Sequence, residues 1–342
     1  MKYKLLGKTG LRVSELCLGV MTFGEDWALG TNKKESKKVF DAFANAGGNF
    51  LDTANRYTEG TSEKMVGEFI HSDRDHFVLA TKYTLYDRLG DVNYSGNHRK
   101  NMMRSVEASL KRLNTDFIDV FYLHSWDDLT PIEEILRGFD DLVSSGKVLY
   151  TGISDTPAWK VSEANTIADL RDRTRFNAMQ IEYSLLQRTV ERELLPMAKD
   201  QEITVTAWAP LGGGALTGKY LDDNDNTKRL AEDSKRLNDR SRKITREVVA
   251  VAKELNCSAA QVALRWVIQQ NPMVIPVIGA RKESQIKDSL GCLDIVISPE
   301  QMVRLNQVSK IEMGFPHDFL ALDFVKEVTY GGMVDQIINF RK

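Results

Sequence analysis

Short apolar runs recur along the chain: "ELCLGV" (15–20), "NFLDT" (49–53), "FVLATK" (77–82), "IDVFYLH" (118–124), "YTGIS" (150–154), "NAMQI" (177–181), "ITVTAW" (203–208) and "MVIPVIG" (273–279). Several are near-continuous rather than alternating, the pattern of strands buried on both faces of a parallel sheet. Helical patterns fill the gaps. Over 130–146, Thr130 reads as an N-cap, Pro131 as the first helical residue and Glu133 as the partner in a capping box. Ile132, Ile135, Leu136, Phe139, Leu142 and Val143 then form one apolar stripe, and Gly146 is placed to stop it. A second stripe runs through Met103, Val106, Leu110 and Leu113. A third covers 33–46 and ends at Gly47 and Gly48.

Eight strands, each followed by a helical segment, is the count of a (β/α)8 TIM barrel. A doubly wound sheet shares the alternation, but eight repeats in under 300 residues with no second composition regime favour the barrel. The whole chain, 1–342, is read as one barrel domain with three additions. "YKLLGKTGLRV" predicts an N-terminal β-hairpin around Lys8-Thr9-Gly10 that closes the barrel bottom. Residues 219–243 carry 14 charges in 25 positions, which marks a solvated loop or exposed helix, or a flap over a ligand. Residues 311–342 form a C-terminal tail whose Phe315, Phe319, Leu320, Phe324 and Val325 are expected to pack on a neighbouring surface.

Composition narrows the partners. Lys plus Arg number 46 and Asp plus Glu 48, a net charge of −2, which argues against nucleic acid. Cys17, Cys257 and Cys292 are odd in number and widely separated, as reduced thiols in a cytoplasmic protein would be. No metal-ligand spacing occurs, so no metal is expected. The opening "MKYKLLGKTGLRV" lacks a secretory apolar core. No run approaches the ~18 apolar residues of a membrane span. A soluble, cytoplasmic protein without a membrane partner is therefore expected; a homo-oligomer stays open.

Barrel chemistry sits at the C-terminal ends of the strands. Asp52 ends the second strand, Lys82 the third and His124 the fourth, and Tyr57 follows in the loop after the second. A free tyrosine, with a pKa of about 10, is a poor acid at neutral pH. A lysine ammonium beside it is expected to pull that value down. A buried lysine needs a carboxylate, and Asp52 can supply it. His124 can orient a substrate oxygen. The set reads as a proton donor facing a carbonyl.

Protonating that oxygen calls for a hydride at carbon, which a nicotinamide supplies. No GxGxxG follows a strand. The segment 213–219 matches GxxxxGK, but Tyr220 stands where a P-loop needs Ser or Thr. The glycine-rich turn after the seventh strand still lets backbone N–H groups approach a pyrophosphate. Arg281 and Lys282, after the eighth, can meet a 2′-phosphate and so favour NADPH.

"GLRVSELCLGVMTFG", "FLDTANRYTEGTSE", "VLATKY", "YLHSWD", "QIEYSLLQR" and "APLGGGALTGKY" together resemble the aldo-keto reductase family, in order through most of 3–310. The resemblance implies a (β/α)8 barrel using NAD(P)H, usually NADPH (NADP+), to reduce aldehydes or ketones. It places Asp52, Tyr57, Lys82 and His124 on the catalytic tetrad, with Tyr57 as general acid. It puts Ser154 and Gln180 at the carboxamide and Trp208 on the nicotinamide ring. Leu211 and Gly213 fall on the pyrophosphate loop, Gly279, Arg281 and Gln285 near the 2′-phosphate and ribose, and Asp288 near the adenine. Thr22 and Lys219 join the cofactor candidates. Two positions depart from the family pattern. Asp155 stands where most members carry Asn; it can accept from the carboxamide NH2 but cannot donate to its oxygen. Ser289 stands where many carry Asn at the adenine.

"GISDTPAW" resembles the aryl-alcohol dehydrogenase-like branch, which hints at a small-molecule carbonyl substrate such as an aromatic aldehyde. Trp27, Tyr86 and Trp126 on the mouth loops are the candidate substrate contacts, or equally packing lids. Two alternatives stand beside this reading. One is a nicotinamide-binding regulatory partner of the same fold with little turnover, as the similar potassium-channel β subunits are. The other is a barrel enzyme with Lys82 as a Schiff-base nucleophile.

Overall fold

In the computed structural model, residues 1–221, 230–231 and 233–339 are described. The expected hairpin is present. β1 (Tyr3–Leu5) pairs antiparallel with β2 (Arg12–Ser14). Eight parallel strands follow: β3 (Cys17–Gly19), β4 (Phe50–Asp52), β5 (Val78–Tyr83), β6 (Ile118–Leu123), β7 (Val148–Ser154), β8 (Ala178–Glu182), β9 (Thr204–Trp208) and β10 (Val274–Ile278). β10 pairs with both β9 and β3, which closes the barrel. All eight apolar runs became barrel strands. A buried parallel strand is apolar on both sides, so its run is continuous and easy to find.

Parity along each strand sorts the side chains. Leu51, Leu79, Phe121, Ile153, Met179 and Val205 point outward into the layer between sheet and helices. Phe50, Val78, Ala80, Val120, Tyr122 and Ala178 point inward, with Leu6 and Val13 of the hairpin closing the floor beneath them. The Tyr122 ring takes up so much of the interior that a Cβ on Gly152 would lie 2.4 Å from it. By the same period of two, Asp52, Lys82, His124 and Gln180 continue the inward rows toward the open end.

The surrounding helices include α1 (Lys33–Asn45), α2 (Thr61–Ile70), α3 (Arg99–Leu113), α4 (Ile132–Ser144), α5 (Ala158–Leu170), α6 (Leu194–Asp200), α7 (Asp239–Glu254), α8 (Ala259–Gln270), α9 (Glu283–Leu290) and α10 (Pro299–Val308). The α4 stripe is buried as expected, with Val143 half-covered. Its predicted cap is not formed: α4 starts after Pro131, and the Thr130 hydroxyl donates instead to Asp127 Oδ2 at 3.0 Å. Asp127 also accepts from the backbone N–H groups of Asn97, Leu129 and Thr130, so the whole loop is organised around this carboxylate. In α3 it is Met102 rather than Met103 that is fully buried.

The α2–α3 contact depends on a missing side chain. A methyl on Gly67 would lie 2.1 Å from the carbonyl oxygen of Leu113. Gly67→Ala is therefore expected to lower stability by about 1–3 kcal/mol through overpacking. This holds although alanine is the better helix former by ~1 kcal/mol. Urea denaturation checks it, and unchanged stability would mean that the two helices separate freely.

One expectation changes and another lies partly outside the described residues. Of the charged excursion predicted over 219–243, residues 222–229 and 232 lie outside the described residues, and 239–243 open α7 behind an Asn238–Ser241 capping box. The tail contains α11 (His317–Leu320) and α12 (Asp323–Tyr330) but packs little: Phe315 is 86% exposed and Phe324 69%, and only Val325 of the five expected residues is buried. Its amphipathic pattern makes short helices without a barrel surface to cover them. No described helix is long and apolar enough to cross a membrane.

Candidate active site

Strand register brings the four chemical candidates together. Asp52 is paired with Ala80, two residues before Lys82, and Lys82 with Tyr122, two before His124. The fully buried Lys82 ammonium donates to Asp52 Oδ2 at 2.7 Å, to the Thr53 carbonyl at 2.8 Å and to Tyr57 Oη at 3.4 Å. An ammonium has three protons and no lone pair. All three are thus committed, and Tyr57 accepts from Lys82, which leaves the phenol proton free for a ligand. Gln180 Nε2 donates to Asp52 Oδ1 at 2.9 Å, so both carboxylate oxygens are held. The outward neighbour Thr81 donates to the buried Glu63, which Arg112 of α3 also grips; this fixes β5 against α2 and α3.

Tyr57 is held by an unusual backbone. Thr58, Glu59 and Gly60 have φ of 44°, 53° and 87°, a left-handed run that includes two non-glycine residues. Such residues persist only where surroundings over-determine them. Here the Thr58 hydroxyl donates to the Phe23 carbonyl at 2.6 Å and accepts from Ser62 N–H at 3.0 Å. Glu59 pairs with Arg56 and accepts from Trp27 Nε1.

Charge states follow from burial and neighbours. Burial opposes the Lys82 charge, but Asp52 and then Tyr57 outweigh it, and the ammonium is stabilised above its ordinary range. For Tyr57 burial is the largest influence and pushes the phenol up; Lys82 pulls down without winning. The expected net lowering of Tyr57 is thus corrected: in this structure desolvation of the tyrosinate exceeds the attraction of the ammonium. Burial, aided by Lys82, holds His124 well below the ordinary imidazole range, so it is neutral. Its Nδ1 is buried with no partner among the described residues. The His124 ring stands edge-on to Tyr57, centroids 5.8 Å apart.

The remaining predicted residues fall on strand ends and on the loops and helices that follow them. Ser154 ends β7 opposite Gln180, and Trp208 ends β9 with its Nε1 donating to Asp155 Oδ1 at 3.1 Å. Leu211 leads into a turn where Gly212, Gly213 and Gly214 have φ of 58°, 69° and 96°. The Lys219 side chain lies across Gly214. Thr22 Oγ1 reaches the Ala280 carbonyl at 3.4 Å, joining the loops after β3 and β10. A Cβ on Gly279 would meet the Gly19 carbonyl oxygen at 3.4 Å. Gln285 accepts from Arg281 N–H at the start of α9. Asp288 is occupied by Ser258 and Gln261 at the start of α8. Among the substrate candidates, Trp27 meets Tyr57 edge-on at 6.4 Å, and Trp126 lies along a cleft with Thr84 and Leu85.

Two residues beside the predicted aromatics, and one bond, escaped the sequence. Arg56 lies 4.5 Å from the Tyr86 ring centroid and 6.0 Å from that of Trp27, joining two predicted aromatics. Arg236 pairs with Glu182 at 2.6 Å and lies 5.8 Å from the Trp208 ring centroid. Both read as ordinary surface charges in sequence. Gln180 was legible, but its bond to Asp52, 128 residues away, was not. No cluster of metal-ligating side chains occurs among the described residues.

Residues 15–310 match the profile described as the Aldo/keto reductase family. The chain belongs to that family. This aldo/keto reductase is 38% identical over 326 residues to norsolorinic acid reductase of Aspergillus flavus, covering 92% of this chain and 83% of the relative. It is 39% identical over 333 residues to aryl-alcohol dehydrogenase [NADP(+)] of Phanerodontia chrysosporium, covering 90% and 86%. Norsolorinic acid reductase B of Dothistroma septosporum is 37% identical over 337 residues, covering 94% and 85%. The reductase assignment agrees with the oxidoreductase chemistry expected from the strand ends.

Proposed function

We propose that this aldo/keto reductase reduces the carbonyl of an aromatic aldehyde or ketone to an alcohol with NADPH, and that Tyr57 is the proton donor. The observation that carries this reading is the Asp52–Lys82–Tyr57 chain of hydrogen bonds with neutral His124 beside it. Lys82 leaves the Tyr57 proton directed away from itself and stabilises the tyrosinate once that proton is given. Asp52, held by Gln180, keeps Lys82 charged and in place. His124 Nε2–H donates to the carbonyl oxygen and orients it. A charged Lys82 is no nucleophile, which counts against the Schiff-base alternative.

The residues present fit a nicotinamide dinucleotide. The three left-handed glycines leave backbone uncovered where a side chain would crowd a pyrophosphate; on Gly213 a Cβ would already stand 2.9 Å from Leu230. Arg281 and Lys282 have no ion-pair partner among the described residues and stand at the N-terminus of α9, suited to a 2′-phosphate. Trp208 offers a ring for stacking and Ser154 a hydroxyl for the carboxamide. When bound, the cofactor supplies the hydride. Trp27, Tyr86 and Trp126 give the mouth aromatic walls, in keeping with relatives whose names refer to aryl alcohols and norsolorinic acid.

The test is NADPH absorbance decay with 4-nitrobenzaldehyde. Decay supports the reductase; tight nucleotide binding without turnover of any aromatic carbonyl would favour the regulatory-partner alternative. Arg281→Ala is expected to weaken NADPH about tenfold or more, the scale of a lost charge-assisted phosphate contact, and NADH little. Equal weakening of both in calorimetric titrations would remove Arg281 from the 2′-phosphate.

A further inference from the structure

Asp155, beside the residues proposed for the nicotinamide, has no cationic partner among the described residues. Asp52 is paired with Lys82, Glu182 with Arg236, and Glu59 with Arg56. Tyr57 and His124 are neutral at ordinary pH. Asp155 follows the last residue of β7, and its left-handed φ of 42° turns the carboxylate across the barrel end. There its Oδ1 accepts from Trp208 Nε1, and its backbone N–H donates to the Gln180 carbonyl at 3.2 Å. The residue is exposed at the open mouth, with its carboxylate set partly against the wall. A strained, ring-anchored carboxylate facing a ligand space is not explained by packing.

We propose that Asp155 biases the site toward the oxidised cofactor and so makes the bound reduced form a stronger hydride donor. This rests on the nicotinamide reading above. Reduction of one carbonyl takes one hydride from the cofactor and one proton from Tyr57, and leaves the nicotinamide with one more positive charge. With a nicotinamide beside Trp208, the Trp208-anchored carboxylate of Asp155 would stabilise the positive oxidised form and the transition state leading to it, and gain little from the neutral reduced form. The cost is tighter retention of NADP+. For a single unit charge beside it at a half-solvated site the preference would be roughly tenfold. Partial enclosure by the wall outweighs the Trp208 hydrogen bond and holds the Asp155 carboxyl above its ordinary value, with Glu182 adding to the rise and Lys82 opposing it, so the group feels the charges of the reacting centre.

Asp155→Asn is the discriminating variant. Asparagine keeps an oxygen for the Trp208 bond and tolerates the left-handed backbone, so it removes the charge alone. Isothermal titration of NADP+ and NADPH into wild type and variant gives the readout. The expected result is a roughly tenfold weaker NADP+ with NADPH changed less than about threefold. An unchanged ratio of the two affinities, or equal weakening of both, would overturn the role of Asp155 while leaving the nicotinamide site standing. Failure of wild type to bind either nucleotide would overturn the nicotinamide site itself, and this inference with it.

Discussion

Phe in place of Tyr57 is expected to reduce turnover of an aromatic aldehyde by about 10²–10⁴-fold, the range over which a positioned general acid acts. Nucleotide affinity should stay within a few-fold of wild type, because the phenol oxygen contacts Lys82 rather than the glycine turn or α9. The ring itself is retained, so its edge contacts with Trp27 and His124 persist. The pH profile supplies an independent check. Burial raises the Tyr57 phenol, so the acid form that reduction needs is present through neutral pH and is lost only as pH rises through that raised value. Reduction by wild type should therefore fall on the alkaline side, and the residual rate of Tyr57→Phe should lack that limb. Turnover near the wild-type rate in the variant would remove Tyr57 from the chemistry.

The largest stability effect is expected at Lys82. Lys82→Met keeps most of the side-chain volume but leaves the Asp52 carboxylate, 3% exposed, without its counter-ion. Breaking a buried ion pair from one side costs about 3–5 kcal/mol, a large part of the stability of an ordinary domain. Chemical denaturation followed by circular dichroism would read the loss. Adding Asp52→Leu to Lys82→Met should recover much of it, because the orphaned charge is then gone while Gln180 keeps its contact with Thr206. Equal stability of Lys82→Met and wild type would show that Asp52 reaches water or another cation. Both variants should lose turnover, so stability and catalysis separate only in the double variant.

What the sequence disclosed follows from how local each feature is. A parallel barrel strand is written as a continuous apolar run, and the residue at its polar end falls at the mouth; Asp52, Lys82 and His124 were legible for that reason. The depth of the site was not. Whether Lys82 or desolvation decides the state of Tyr57 depends on how much protein surrounds the phenol, and spacing does not encode that. Thr130 carried a correct capping signal but lost to Asp127, which binds three backbone N–H groups as well as the Thr130 hydroxyl. The left-handed run at 58–60 was hidden because Thr58 and Glu59 are not residues that announce such a backbone. In the tail, periodicity marked the helices but said nothing of a surface to cover Phe315 and Phe324, and most of their area stays bare.

The hairpin at the foot of the barrel has a consequence for traffic. Leu6 and Val13 stopper the lower opening, and Gly7 is wedged so tightly that a Cβ there would stand 2.2 Å from the Asn177 carbonyl oxygen. Visitors to Tyr57 are left with the upper doorway, and two molecules that share one doorway must queue. On the proposed reading, the molecule at the glycine turn and Trp208 and the one against Trp27 and Trp126 pass through that same opening. The floor of the vessel, far from any bond being made, thereby confines all traffic to the opposite end.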